Sequence, residues 1–148
     1  MGEKKKYVDI NNVRSEEMRQ KWQKIIDEGV DPFDVKHVEK MVGRIMAESK
    51  YWYAFHNNYP YPGTQYQPVI VSKNFYTDDD EMTDEEWFDL RTIKRMVKEI
   101  LAIKGGGFVM RFGDTSISGG SVTHLHAHLI VPKENENVSA WFGSKKET

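Results

Sequence analysis

The stretch Thr123-His124-Leu125-His126-Ala127-His128-Leu129-Ile130-Val131-Pro132 holds three of the five histidines of this 148-residue chain. Side chains of an extended strand alternate between faces, so His124, His126 and His128 would project from one side while Leu125, Ala127 and Leu129 enter a core. Successive rings would then stand about 6.5–7 Å apart along one edge of a site. Neutral imidazole is a common zinc or copper ligand, but three same-face residues spread over about 13 Å, so at most two would share an ion. Alternatively one ring is a nucleophile whose neighbours position and protonate a phosphoryl substrate. The plain alternative is an amphipathic strand whose polar face happens to be histidine, where Thr, Lys or Glu would be more usual.

Composition removes other chemistries. The chain has no cysteine, which excludes disulfides, Cys-ligated zinc and thiol nucleophiles. Twenty-one Lys and Arg against twenty-three Asp and Glu give a formal charge of -2, so no strong field draws it to duplex nucleic acid or to an anionic membrane. The longest apolar runs fall far short of the roughly 18 residues that span a bilayer. The basic start lacks a following apolar core, so no secretory signal is expected. The chain reads as soluble and cytoplasmic, with no metal and no cofactor expected.

Several elements must position the histidines. Residues 1–13 are polar and read as loosely held, with Tyr7, Val8 and Ile10 as tethers. Ser15 is a good N-cap for a helix carrying Met18, Trp22, Ile25 and Ile26 up to Gly29. Val35, Val38, Met41, Val42, Ile45 and Met46 repeat at helical spacing and predict a second helix. Residues 51–55 and 68–73 read as strands flanking a loop over 56–67. Thr83 and Glu86 form a capping-box pattern opening a helix with Trp87, Leu90, Ile93, Val97, Ile100 and Leu101 on one stripe. Gly105 to Gly107 are expected to end that helix through a left-handed exit. Residues 108–112 and 122–131 are the last two strands, joined by a Gly, Ser and Thr-rich loop. The order predicts an α+β fold, an antiparallel sheet covered by helices, with an N-terminal helical extension over 1–30 and the main domain over 31–148.

The run His124 to Ile130 resembles the signature of the histidine-triad nucleotide hydrolases and transferases, His-φ-His-φ-His-φ-φ with φ apolar, at all seven positions. Gly119-Gly120-Ser121 stands where that family carries its Gly-rich phosphate loop, and Val131-Pro132 follows as in its dinucleoside polyphosphate branch. The segment from Ala54 through Asn57 to Gly63 looks like the family's nucleoside-binding segment, with Asn57 matching the residue on the ribose. The likeness covers roughly residues 31–142. It implies that His126 attacks the α-phosphorus of a nucleotide or dinucleotide to form a nucleotidyl-histidine, with His124 and His128 donating to phosphate oxygens, Ser121 and the Gly119 and Gly120 amides assisting, no metal, and a homodimer. Trp141 would fold over the nucleotide or pack at an interface.

Some matched positions differ. Gln67, counted among the expected substrate-binding residues, replaces a histidine found in many members, Gly120 a glutamine of some, and Asp31-Pro32-Phe33-Asp34 lies where relatives often hold a Cys-x-x-Cys zinc pair. His56 is expected to be structural or exposed and His37 to lie on the surface, Tyr59 and Tyr61 either line a base pocket or stiffen a loop, and the acidic run 78–81 is a solvated segment before a helix. The substrate bond is expected to be a phosphoanhydride or phosphoramidate. A nucleotide-binding module of the same fold with little activity, or a His-based metal-binding protein, are the competing readings.

Overall fold

Residues 6–144 are described by the computed structural model; the notional basic start thus falls largely outside them. The helix-start signals act where the residues place them. Ser15 accepts from the Met18 amide at 3.1 Å and opens α1 (Glu16–Glu28), which Gly29 closes at φ 69°. Five further elements follow before the next long helix: α2 (Val38–Met41), β1 (Ile45–Glu48), β2 (Trp52–His56), and the pair β3 (Thr64–Tyr66) and β4 (Pro68–Ser72). Helix α3 (Asp84–Ile100) has the capping box that the sequence predicts, Thr83 and Glu86 satisfying each other's backbone amides. The chain ends with β5 (Gly107–Met110), α4 (Thr115–Ser118) and β6 (His126–Pro132).

The strands form an antiparallel sheet in the order β1-β2-β4-β6, with β5 on the far side of β6 and β3 pairing with the end of β6. Both faces of the sheet are covered, and alternation sorts the residues. Trp52, Ala54, Ile70, Leu125 and Leu129 pack with Leu90, Ile93 and Val97 of α3. Tyr53, Phe55, Val69 and Val71 pack instead with Val8, Trp22, Ile25, Phe33 and Val38 of the N-terminal layer. Val69 stands opposite His128 and Val71 opposite His126, so both histidines emerge on the face beneath that layer. The expected α+β arrangement is the observed one.

Three expectations change. The second helix is a single turn, because Gly43 and Arg44 break it and Ile45 and Met46 join the sheet, where Ile45 pairs with Phe55 and Ala47 with Ala54. The helical spacing there coincided with strand burial. Of residues 1–13, the described part is held more firmly than expected: Val8 acts as the expected tether by bridging Val122, Asp9 is 3% exposed, and the Asp9 amide donates to the Ser121 carbonyl at 2.7 Å. Thr115 Oγ1 donates to Asp9 Oδ2 at 2.7 Å, which ties the same segment to α4. Finally, α3 ends before the glycines, at Leu101, and the left-handed residue is Ala102 with φ 50°.

The glycine triplet has another reason. A Cβ on Gly106 would lie 2.5 Å from the Ile130 carbonyl oxygen, so only glycine lets this backbone pass β6, whereas Gly105 faces open space. Gly106→Ala should therefore lose about 1–3 kcal/mol in urea unfolding, and Gly105→Ala should be within about 1 kcal/mol of wild type. Equal effects would contradict this account.

Candidate functional site

The turn entering β6 departs from a continuous extended strand. His124 lies in a bend before the strand, 1% exposed, with Nδ1 2.5 Å from Asp31 Oδ2 and Nε2 2.5 Å from the Ser72 carbonyl. Both ring nitrogens are thus taken by protein oxygens, and Phe33 and Phe75 meet the ring edge-on. His124 therefore does not reach the cleft, against the expectation of three rings on one open edge. The bend itself is pinned by the Leu125 amide donating to the Tyr76 carbonyl at 2.7 Å, while Tyr76 and Asn74 bond the buried Glu86 of α3.

What His124 contributes is its carbonyl, which accepts from His126 Nδ1 at 2.7 Å. A carbonyl only accepts, so Nδ1 carries the hydrogen and the Nε2 lone pair of neutral His126 is left free. The next ring is oriented by a chain of assignments. The Tyr61 amide donates to Gln67 Oε1 at 2.6 Å, which fixes the amide so that Nε2 donates to His128 Nδ1 at 3.2 Å. His128 then holds its hydrogen on Nε2, the opposite tautomer from His126. The two rings meet edge-on with centroids 5.2 Å apart, closer than an undistorted strand predicts.

His126 and His128 line one cleft with Phe33, Phe55, Asn57 and Tyr61, and with Gly119, Gly120 and Ser121. Burial pushes His126 down to about 4, and the electrostatic influence of the neighbouring His124 and Arg111 acts in the same direction; the bond to the His124 carbonyl partly opposes it. Burial also holds His128 well below its ordinary value, aided by His126, Arg111 and Arg14. Both rings are consequently neutral at pH 7.

The remaining site residues are placed by long-range contacts. Asn57 accepts from the Tyr59 amide at 2.8 Å, an Asx turn that sets the cleft wall. Gln67 is 3% exposed and acts on His128 without lining the cleft. Asn12 Nδ2 donates to the Thr115 carbonyl at 3.0 Å and the Gly120 carbonyl at 2.8 Å, clamping the glycine loop. A Cβ at Gly119 (φ 85°) would meet the Gly143 carbonyl oxygen at 2.5 Å, so the C-terminal segment lies directly on that loop. Trp141 does not line the cleft: its indole is 68% exposed, and its carbonyl accepts from Arg111 Nε at 3.2 Å and from Arg111 Nη2. His56 is exposed, His37 half-buried, and Asp78 caps a short turn.

Sequence reasoning placed no function on Arg14, Asp31 or Phe33. Phe33 touches His126 edge-on at 4.9 Å between centroids. Arg14 stands immediately before the N-cap Ser15, where a cation opposes the helix dipole, and that local conflict was the available signal. Among the described residues the triad rings do not converge into a three-ligand metal group; only Asp78, Asp79 and Asp80 do. No helix there is long and apolar enough to cross a membrane.

No family model and no curated protein matches the chain. Solved structures do. A histidine triad nucleotide-binding protein from Candida albicans aligns over 86% of this chain and 85% of its own, at TM-score 0.55 and 15% identity. A HIT family hydrolase from Clostridium thermocellum covers 68% of this chain and 88% of its own, at TM-score 0.53 and 22% identity. A structure named Hit Like Protein covers 60% and 85%, also at TM-score 0.53 and 22% identity. The chain has the histidine-triad fold.

The depressed values have a thermodynamic sign. As pH falls below the unfolded value of 6.5, the unfolded chain binds the His126 proton before the folded chain does, so stability is full above 6.5 and is lost toward pH 4. Between pH 7 and 5 His126 should account for about 1–2 kcal/mol of lost unfolding free energy. Urea titrations of wild type and His126→Asn should show the shallower loss in the variant; identical losses would refute the assignment.

Proposed function

We propose that this chain is a histidine-triad nucleotide hydrolase or nucleotidyl transferase that works through a covalent His126 intermediate. The observation that supports it is the hydrogen bond from His126 Nδ1 to the His124 carbonyl, which aims an unprotonated Nε2 into a cleft with donors nearby. The nucleoside would lie against the aromatic wall of Phe33 and Phe55, with Asn57 at the ribose. The Nε2 lone pair forms a bond to the α-phosphorus as the bond to the leaving group breaks, and that group departs with the electron pair. A water oxygen then attacks the same phosphorus and gives up a proton to solvent, the N–P bond breaks, and the lone pair returns to Nε2. Another acceptor in place of water makes the reaction a transfer.

Charge developing on the phosphate oxygens would be met by the His128 Nε2–H and by the amides and hydroxyl of Gly119 to Ser121. In this reading His124, Asp31 and Gln67 are positioning residues: two set the bend that offers the carbonyl, and one selects the His128 tautomer. The names of the matched structures, a hydrolase and a nucleotide-binding protein, agree with this reading.

His126→Asn keeps an N–H near the His124 carbonyl and should stay folded by circular dichroism. Turnover across dinucleoside polyphosphates, nucleoside phosphoramidates and nucleotide sugars should fall by at least about a thousandfold. Brief incubation of wild type with labelled substrate should trap an acid-labile adduct that the variant lacks. Undiminished turnover in the variant contradicts the mechanism, and stoichiometric zinc binding without nucleotide binding replaces it with a metal site.

A further inference from the structure

We infer that Arg14 and Arg111 form a subsite for phosphate oxygens beyond the α-phosphorus, so that the group displaced is itself a phosphate or polyphosphate. This rests on the His126 reading above and names the substrate class within it. Arg14 Nη2 and Arg111 Nη1 donate to the single Tyr61 hydroxyl oxygen at 3.2 and 3.0 Å, and the Arg14 guanidinium lies 4.1 Å from the Tyr61 ring centroid. Among the described residues neither guanidinium has a carboxylate within ion-pair reach. Two like charges gathered on one neutral oxygen repel, and an anion bridging their unused N–H groups removes that cost.

The contacts place this cationic pair relative to the nucleophile. Ring by ring the order runs Trp22, Phe33, His126, His128, Tyr61, with centroid separations of 6.5, 4.9, 5.2 and 5.8 Å, and the two arginines follow Tyr61. Along this row the aromatic wall of Trp22 and Phe33, with Lys21 over Trp22, precedes His126, and the two arginines that gather on Tyr61 come after His128. A nucleoside on the first side and phosphate at His126 leave the arginines facing what the phosphorus releases. Neither cation floats. Arg111 is held by the Trp141 carbonyl and its guanidinium lies 4.9 Å from the Phe142 ring centroid, and Arg14 follows a segment pinned through Asp9 and Asn12.

The chemistry of His128 points the same way. Gln67 donates to its Nδ1, so the neutral ring can offer an Nε2 hydrogen bond, but handing over that proton would leave an imidazolate. An amine leaving group needs a proton to depart; a phosphate departs as a stable anion. The site is thus built to stabilise charge on the leaving group and not to protonate it.

Calorimetric titration of the full chain with AMP, ADP, GMP and GDP tests this. The diphosphate of the preferred base should bind at least about tenfold tighter than its monophosphate, and Arg14→Gln or Arg111→Gln should weaken the diphosphate about tenfold while moving the monophosphate less than about threefold. Equal binding of the two, or variants that lose both equally, would overturn the subsite and give the arginines to the α-phosphate. A covalent His126 adduct without diphosphate preference sinks only the subsite. Diphosphate preference that follows the arginines in a protein whose His126→Asn variant still turns over sinks only the mechanism. Absence of nucleotide binding overturns both.

Discussion

One backbone carbonyl organises the cleft. The His124 oxygen is free to accept from His126 because the chain bends ahead of β6 and does not begin the ladder until His126. That bend is in turn held by contacts from every direction: the His124 ring between Asp31 and the Ser72 carbonyl, the Leu125 amide on the Tyr76 carbonyl, and Glu86 behind Tyr76. Were the strand continuous from residue 122, that carbonyl would be committed to a neighbouring strand and nothing would choose the tautomer of His126. The first histidine matters through its backbone position and its anchors, more than through its ring edge.

The electrostatics follow from where the sheet buries this face. Lying opposite Val69 and Val71 beneath the N-terminal layer, His126 and His128 lose hydration, and burial keeps them uncharged beside the positive charges of Arg14 and Arg111. Neutral imidazoles beside cations are a consistent combination for an anionic ligand: the fixed charges attract it, and the His126 lone pair that the proposed mechanism uses is not lost to a proton. The same layer that covers this face, residues 8–14 with α1, delivers one of the two guanidiniums.

Much of the fold was legible because it is written in local patterns. The Thr83 and Glu86 box and the Ser15 cap each need only a few neighbouring residues, and their helices form where those patterns lie, whereas the strand expected over 122–131 begins only at His126. The failures have a common cause as well. Ile45 and Met46 satisfy both helical and strand spacing, and only pairing with β2 decides between them. The helix exit falls on Ala102 while the nearby glycines serve a tertiary approach to β6. In the cleft, the histidines were visible as a run, but their partners are not near them in the chain: Asp31 is 93 residues from His124 and Gln67 is 61 from His128. A buried glutamine that selects a tautomer carries no periodic mark at all.

Gly119 and Gly143 lie against each other, both with positive φ, and a Cβ on the first would strike the carbonyl of the second. Neither position is therefore free to drift on its own: a side chain at 119 becomes tolerable only after the tail has been rerouted, and rerouting the tail takes the Trp141 carbonyl away from Arg111. Sequence divergence at residue 143 is here yoked to the glycine loop and to the charge that faces the cleft. Residues 119 and 143 are expected to vary as a pair.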